Sequence, residues 1–412
     1  MSTSSHRVMR HGRAVSVALG ALLVGIAATP AHAETVRERQ WHLDAMQANE
    51  MWKITTGKGV TIAVLDSGVE DSLDDLKGQV LPGLNLSKEP GDEHTGYSSH
   101  GTSMAALIAA TGKRAGGDGS FGLAPGVKIL PIRLPKENEG TKLAQNVPLF
   151  LEKLSEGIRY AADHGAKVIN ISEALSETSQ EVTSAVKYAL GKGSLVFAGV
   201  GNNGNKGNEV EYPGATPGVV GVGAVDKKIE ATKESEHGPQ VDLAAPGDEL
   251  THACSGGSQI CLSHGTSGAT ALASASAALI WSKYPQWTNN QVLRVMLNTA
   301  GGPRNGEKRT DYIGYGVVRP RIALTSPGDP GPANEYPLPD LAAPNTNSPS
   351  PQAPSSTPAT PKPTAPEAAS SDNGDNGDSG SNTGLWIGLG AVAVVGAAVA
   401  VPLVWSRRRR TT

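Results

Sequence analysis

Three residues in separate segments have the types that nucleophilic hydrolysis needs: Asp66 in Val64-Leu65-Asp66-Ser67-Gly68, His100 in His100-Gly101-Thr102-Ser103, and Ser267 in His264-Gly265-Thr266-Ser267-Gly268-Ala269. A serine hydroxyl is a weak nucleophile near neutral pH. A base within hydrogen-bond reach must take its proton, and a third group must hold that base in the right tautomer. His-Gly-Thr-Ser occurs twice, each time before a run of small residues, so the local motif alone does not say which histidine and which serine react. Chain order narrows the choice. No histidine follows Ser267, which excludes the order serine, acid, histidine, and residue 269 is Ala where a strict G-x-S-x-G turn needs Gly. His264 is three residues before Ser267 on a tight turn, a poor place for its base, and His100 and Ser103 repeat that spacing. The combination left is Asp66, His100 and Ser267.

These residues need elements to carry them. Val60 to Leu65, Lys128 to Leu134, Lys167 to Ser172, Ser194 to Val200, Gly218 to Val225 and Val241 to Ala245 are short apolar runs, several β-branched and continuous, as expected of strands buried on both faces. Asn146 to His164, Thr178 to Lys192, Gly268 to Lys283 and Asn289 to Thr299 have helical patterning. Strands alternating with helices predict an α/β fold, a parallel sheet with helices on both faces. In such a sheet the chemistry belongs at the carboxyl ends of the strands, and Asp66 follows directly on the first of them.

The terminal segments predict that the part between them is exported. Arg7, Arg10 and Arg13, the apolar run Val15 to Ala28 and Ala31-His32-Ala33 form the n-region, h-region and cleavage site of a signal peptide over residues 1–33. Leu385 to Trp405 holds 21 uncharged residues, roughly 31 Å of helix and enough for one transmembrane helix. Arg407 to Arg410 follow, so residues 406–412 are expected in the cytoplasm and all before residue 385 outside. Residues 326–384 hold 13 of the 28 prolines with few large apolar side chains, and predict a disordered linker. Residues 34–325 remain as the folded domain with a short N-terminal extension. Across 412 residues the formal charge is −3, which gives no nucleic-acid footprint. Cys254 and Cys261 lie in the exported part and close an eight-residue loop, for which a disulfide is the simplest reading.

The motifs resemble those of the subtilisin-like serine proteases. Asp66-Ser67-Gly68, His100-Gly101-Thr102 and Gly265-Thr266-Ser267 match the aspartate, histidine and serine motifs, with support from Gly122-Leu123-Ala124-Pro125, Ala245-Pro246-Gly247 and Gly201-Asn202-Asn203-Gly204. The resemblance implies a subtilisin-like fold and a serine endopeptidase in which Ser267 attacks, His100 is base and then acid, and Asp66 orients it. Asn202 and the Ser267 backbone N–H would then be the oxyanion donors. The N-terminal extension, cysteine pair, proline-rich tether and terminal apolar helix resemble a mycosin, the protease associated with type VII secretion. Expected partners are protein or peptide substrates and type VII membrane components.

Two segments depart from the family pattern. Gly268 and Ala271 stand where the family carries a bulky residue and a proline, which predicts looser first turns of the nucleophile helix. Ser172-Glu173-Ala174-Leu175 replaces a Ser-x-Gly-Gly strand, and its side chains are expected to narrow the substrate cleft. The alternative function is therefore a protease-fold scaffold of weak or no activity that stabilises a membrane secretion complex. No cofactor is implied, and His94, His100, Asp92 and Glu93 lack an H-E-x-x-H pattern, so no metal site is assigned.

Overall fold

The computed structural model describes residues 34–114, 116–136 and 143–341. The expected signal peptide, the linker beyond residue 341, the apolar span 385–405 and the basic tail lie outside the described residues. Among the described residues no helix is long and apolar enough to cross a membrane.

Seven strands form one parallel sheet: β1 (Thr61–Asp66), β2 (Leu84–Asn85), β3 (Lys128–Arg133), β4 (Val168–Ile171), β5 (Leu195–Gly199), β6 (Val219–Val225) and β7 (Leu243–Pro246). Their order is β2-β3-β1-β4-β5-β6-β7, so β1 lies between β3 and β4, with Ile62 opposite Ile129 on one side and Val168 on the other. The sequence reading places six of these strands to within about two residues. It missed β2, whose two residues are too short to show a pattern.

Alternation along β1 assigns its side chains to two layers. Ile62 and Val64 enter one core cluster, Ala63 and Leu65 the other. The first layer contains α4 (His100–Ala109), α7 (Thr266–Lys283) and α8 (Asn289–Thr299), and the second contains α5 (Leu143–Asp163) and α6 (Gln180–Gly191). Asp66 continues the Ile62 and Val64 series, so the pleat directs its side chain to the face of α4 and α7. α7 is buried along most of its length and reads TSGATALASASAALIWSK. An amphipathic helix would need one polar face; Ala, Ser and Gly on every side let this one pass close beneath the sheet.

Outside the sheet an antiparallel hairpin, β8 (Leu250–Ala253) and β9 (Ile260–Ser263), runs directly into α7, with His252 opposite Cys261. Sequence reasoning did not separate it from the preceding loop. Three short helices, α1 (Val36–Arg39), α2 (Trp41–Ala45) and α3 (Ala48–Trp52), pack the N-terminal extension on the core. The buried Gln40 amide bonds Phe121 O at 2.7 Å, and Trp52 Nε1 donates to Leu123 O at 2.9 Å.

One expected boundary is corrected. After α9 (Pro320–Thr325), residues 326–341 pack on the domain instead of opening a linker. Leu338 is buried, the Tyr336 hydroxyl donates to Gly218 O at 3.0 Å, and Asp340 Oδ2 accepts from Gly218 N at 2.6 Å. Two anchoring apolar side chains among prolines suffice to hold an extended strap, which composition averaged over 59 residues obscured.

His42 in α2 has no exposed surface, and neither ring nitrogen has a hydrogen-bond partner. Burial, reinforced by the charges of His252 and Arg37, lowers its pKa from 6.5 to about 3. The unfolded chain therefore gains a proton near pH 6.5 that the folded chain refuses until about pH 3. Stability is full above the first value and falls as pH drops toward the second, by about 3 kcal/mol at pH 4.5. His252, also lowered by burial, acts in the same direction. Urea unfolding of residues 34–341 should show a midpoint that falls from pH 7 to 4.5, and His42→Leu should reduce that slope. An identical slope in the variant would remove His42 from the acid response.

Candidate active site

Asp66 ends β1, His100 opens α4 and Ser267 is the second residue of α7. Three segments far apart in sequence thus meet at the carboxyl ends of the central strands. The Asp66 carboxylate is wholly buried, with Oδ2 at 2.8 Å and Oδ1 at 3.0 Å from His100 Nδ1. Ser67 N–H donates to Oδ1 at 2.7 Å and so helps hold the carboxylate in place. His100 itself is 38% exposed and opens onto a cavity of about 320 Å³ that Ser267, Asn202, Ser172, Glu173 and Glu211 also line.

Local sequence explains how close these groups come. A Cβ on Gly101 would collide with the Gly68 carbonyl, so the residue after His100 is small because α4 starts directly against the end of β1. Gly265 has φ +117°, and a Cβ there would sit 2.9 Å from Asn202 Oδ1. That approach lets Asn202 Oδ1 accept from Thr266 N at 2.8 Å. The contact fixes the amide orientation and leaves Nδ2 as the donor available to the cavity.

Ser267 Oγ donates to Ser172 O at 3.2 Å, and Ser172 Oγ returns a bond to Ser267 O at 3.2 Å. Behind them Asn170 Nδ2 donates to Ser172 Oγ and Ser274 Oγ to Asn170 Oδ1, both at 3.0 Å. This buried polar chain ties α7 to β4 on either side of Ser267. Sequence reasoning missed Asn170 and Ser274, although a lone Asn in the apolar strand Val168-Ile169-Asn170-Ile171 was a signal that a buried polar group there needs partners.

The altered cleft strand behaves in two ways. Glu173 and Ala174 line the cavity as expected. Leu175 does not narrow it: its side chain joins the second core layer, and its backbone pairs with Tyr212 through bonds of 2.8 and 2.7 Å. Ala271, where a proline was expected, is buried in the continuous helix α7. Asp66, His100 and Glu173 present donor atoms within 4.8 Å of one another, but the Asp66 contact already engages His100 Nδ1.

The subtilase family model matches residues 57–332, well over half of the chain. The chain belongs to the subtilase family. Its similarity runs to two kinds of relative. A thermophilic serine proteinase of Bacillus sp. (strain AK1) is 33% identical over 66% of this chain and 64% of its own length, so less than two thirds of that relative is spanned. Mycosin-1 of Mycolicibacterium smegmatis is 30% identical over 70% of this chain and 73% of its own. Among solved structures, the serine protease MycP1, described as an essential component of the type VII (ESX-1) secretion system, superposes with a TM-score of 0.61 at 30% identity, covering 72% of this chain and 90% of that one. A chain of an intact ESX-5 inner membrane complex gives 0.63 at 27% identity, covering 80% and 84%.

Cys254 and Cys261 form a disulfide across the β8–β9 hairpin that delivers the chain to Ser267. Ser255 N–H also bonds Ser99 Oγ at 2.9 Å, linking this loop to the residue before His100. Closing so short a loop restricts the unfolded chain and is worth roughly 2.5 kcal/mol. The Cys254→Ser/Cys261→Ser protein should lose about that much stability in denaturant titration. A loss below about 0.5 kcal/mol would mean that the hairpin's backbone pairing alone fixes this segment.

Proposed function

We propose that Ser267 is the nucleophile, His100 the general base and acid, Asp66 its orienting partner and Asn202 an oxyanion donor of an exported endopeptidase. The observation that carries this reading is the pairing of His100 Nδ1 with a buried carboxylate at 2.8 Å, on a cavity that Ser267 and Asn202 share. Asp66 accepts from Nδ1–H, which leaves the Nε2 lone pair as the base. Ser267 Oγ rotates from the Ser172 carbonyl toward Nε2, transfers its proton and attacks the peptide carbonyl. Negative charge on the carbonyl oxygen is met by Asn202 Nδ2 and the Ser267 N–H, and His100 then protonates the leaving amine. Water repeats the sequence to release the acyl group.

Residues 1–33 would direct export, and 385–405 would anchor the chain in the cell membrane with residues 406–412 in the cytoplasm and the protease domain outside. The resemblance to mycosins and to a chain of a secretion-system membrane complex supports protein substrates and partners of the type VII class. The resting hydrogen bond of Ser267 Oγ to the Ser172 carbonyl favours a second reading, a scaffold in such a complex with its cleavage reduced.

Covalent labelling with a fluorophosphonate probe separates the two. Wild-type protein should label, and Ser267→Ala and His100→Ala should not; folded wild-type protein that stays unlabelled would support the scaffold. With a cleavable peptide, Ser267→Ala should lower turnover by about 10⁶. Asn202→Ala should lower it by about 10² to 10³, and an unchanged rate would strip Asn202 of its role.

A further inference from the structure

Two carboxylates stand together next to Asn202, one on the cavity wall and one buried behind it. Glu211 lines it beside Asn202, with Oε1 accepting from Asn203 Nδ2 at 2.9 Å. Glu236 has no exposed surface, and neither of its carboxylate oxygens has a hydrogen-bond partner. Gly201 brings them together: a Cβ on it would lie 2.5 Å from Glu211 Oε2 and 2.6 Å from Glu236 Oε1. The two acids therefore face each other across the residue that precedes Asn202.

Among the described residues Glu236 has no ion pair. Burial first, then the negative charges of Glu211 and Glu209, raise its pKa from 4.5 to about 7. The Asn203 N–H pulls the other way, but falls short of a formed hydrogen bond. A buried carboxyl without partners, next to a second acid, is a costly arrangement in a folded protein, and a guest cation would relieve it. The cavity, at about 320 Å³, is large enough for one long side chain.

The direction of the peptide follows from the proposed chemistry. His100 must stand on the leaving-amine side and Asn202 on the side of the carbonyl oxygen. Glu211 contacts Asn203, the neighbour of Asn202, so the acids lie toward the acyl residue, the one whose carbonyl is attacked. We propose that Glu211, backed by Glu236, makes this end of the cavity a specificity site for a lysine or arginine on the acyl side of the cleaved bond. Glu211 contacts the cationic group, and arginine's planar fork suits a carboxylate there. Glu236 adds negative charge from behind Gly201.

The inference rests on the endopeptidase reading, and its test has one arm that needs catalysis and one that does not. The full chain in detergent is assayed on fluorogenic peptides that differ only in the acyl residue: Arg, Lys, Leu or Glu. Arg and Lys should exceed Leu in kcat/KM by at least ~10-fold. Glu211→Gln should collapse that ratio, Glu211→Lys should turn it toward Glu, and Glu236→Gln should reduce it less. A ratio that is the same in wild type and Glu211→Gln, or a wild-type preference for Leu, overturns the proposal.

In the second arm, peptides ending in Arg or Leu are titrated calorimetrically into the Ser267→Ala full chain, where binding is read without turnover. Tighter binding of the Arg peptide, lost in the Ser267→Ala/Glu211→Gln double variant, supports the site even if the wild type fails to label with fluorophosphonate. Equal binding of both peptides overturns it. Calcium chloride titrated into the same protein gives the last outcome: saturable binding that requires Glu211, with no discrimination between peptides, would make this a cation site and end the proposal.

Discussion

A carboxylate buried without exposed surface is the constraint around which this molecule is arranged. Asp66 sits at the end of the central strand, and removing its charge from water is costly unless partners are fixed in place. Ser67 N–H and His100 Nδ1 meet that demand, and the second depends on α4 beginning directly at the strand end. The glycine after His100 permits that approach, and the small-residue face of α4 lets α7 lie beside it. Had β1 been an edge strand, its carboxylate could have turned to water and no histidine would be held against it.

Much of this was legible in the sequence, for reasons that differ between elements. Continuous β-branched runs gave six strands because burial on both faces leaves no room for polar alternation. Asp66, His100 and Ser267 could be singled out because chain order removed the other pairings, and the structure brings His100 and Ser267 to one cavity with Asp66 buried against the histidine. The parts that were not legible depend on pairing across long distances. Asn170 reads as an oddity in a strand until Ser274 and Ser172 are seen on either side of it. Leu175 reads as a cleft residue until Tyr212 pairs with its backbone. Glu211 and Glu236 are 25 positions apart and become a pair only through the fold at Gly201.

The departures from the family pattern are accommodated more than they are disruptive. An alanine in place of the proline near the start of α7 is buried in an intact helix, and the side chain at position 175 is absorbed by the core. What changes is the character of the cavity wall, where Glu173 and Glu211 put acidic groups close to the reacting residues. The scaffold of elements is kept, and the novelty lies in charge rather than in backbone.

The strap of residues 326–341 gives the domain a polarity. It is fastened at Gly218, the residue before β6 begins, and therefore at the amino-terminal ends of the strands. The cavity opens at their carboxyl-terminal ends. The last described residue, Leu341, thus lies at the pole opposite Ser267. Traction applied at that pole would load the strap and the amino end of β6 before it reached the polar chain behind Ser267, so the cavity is mechanically insulated from a pull on residue 341.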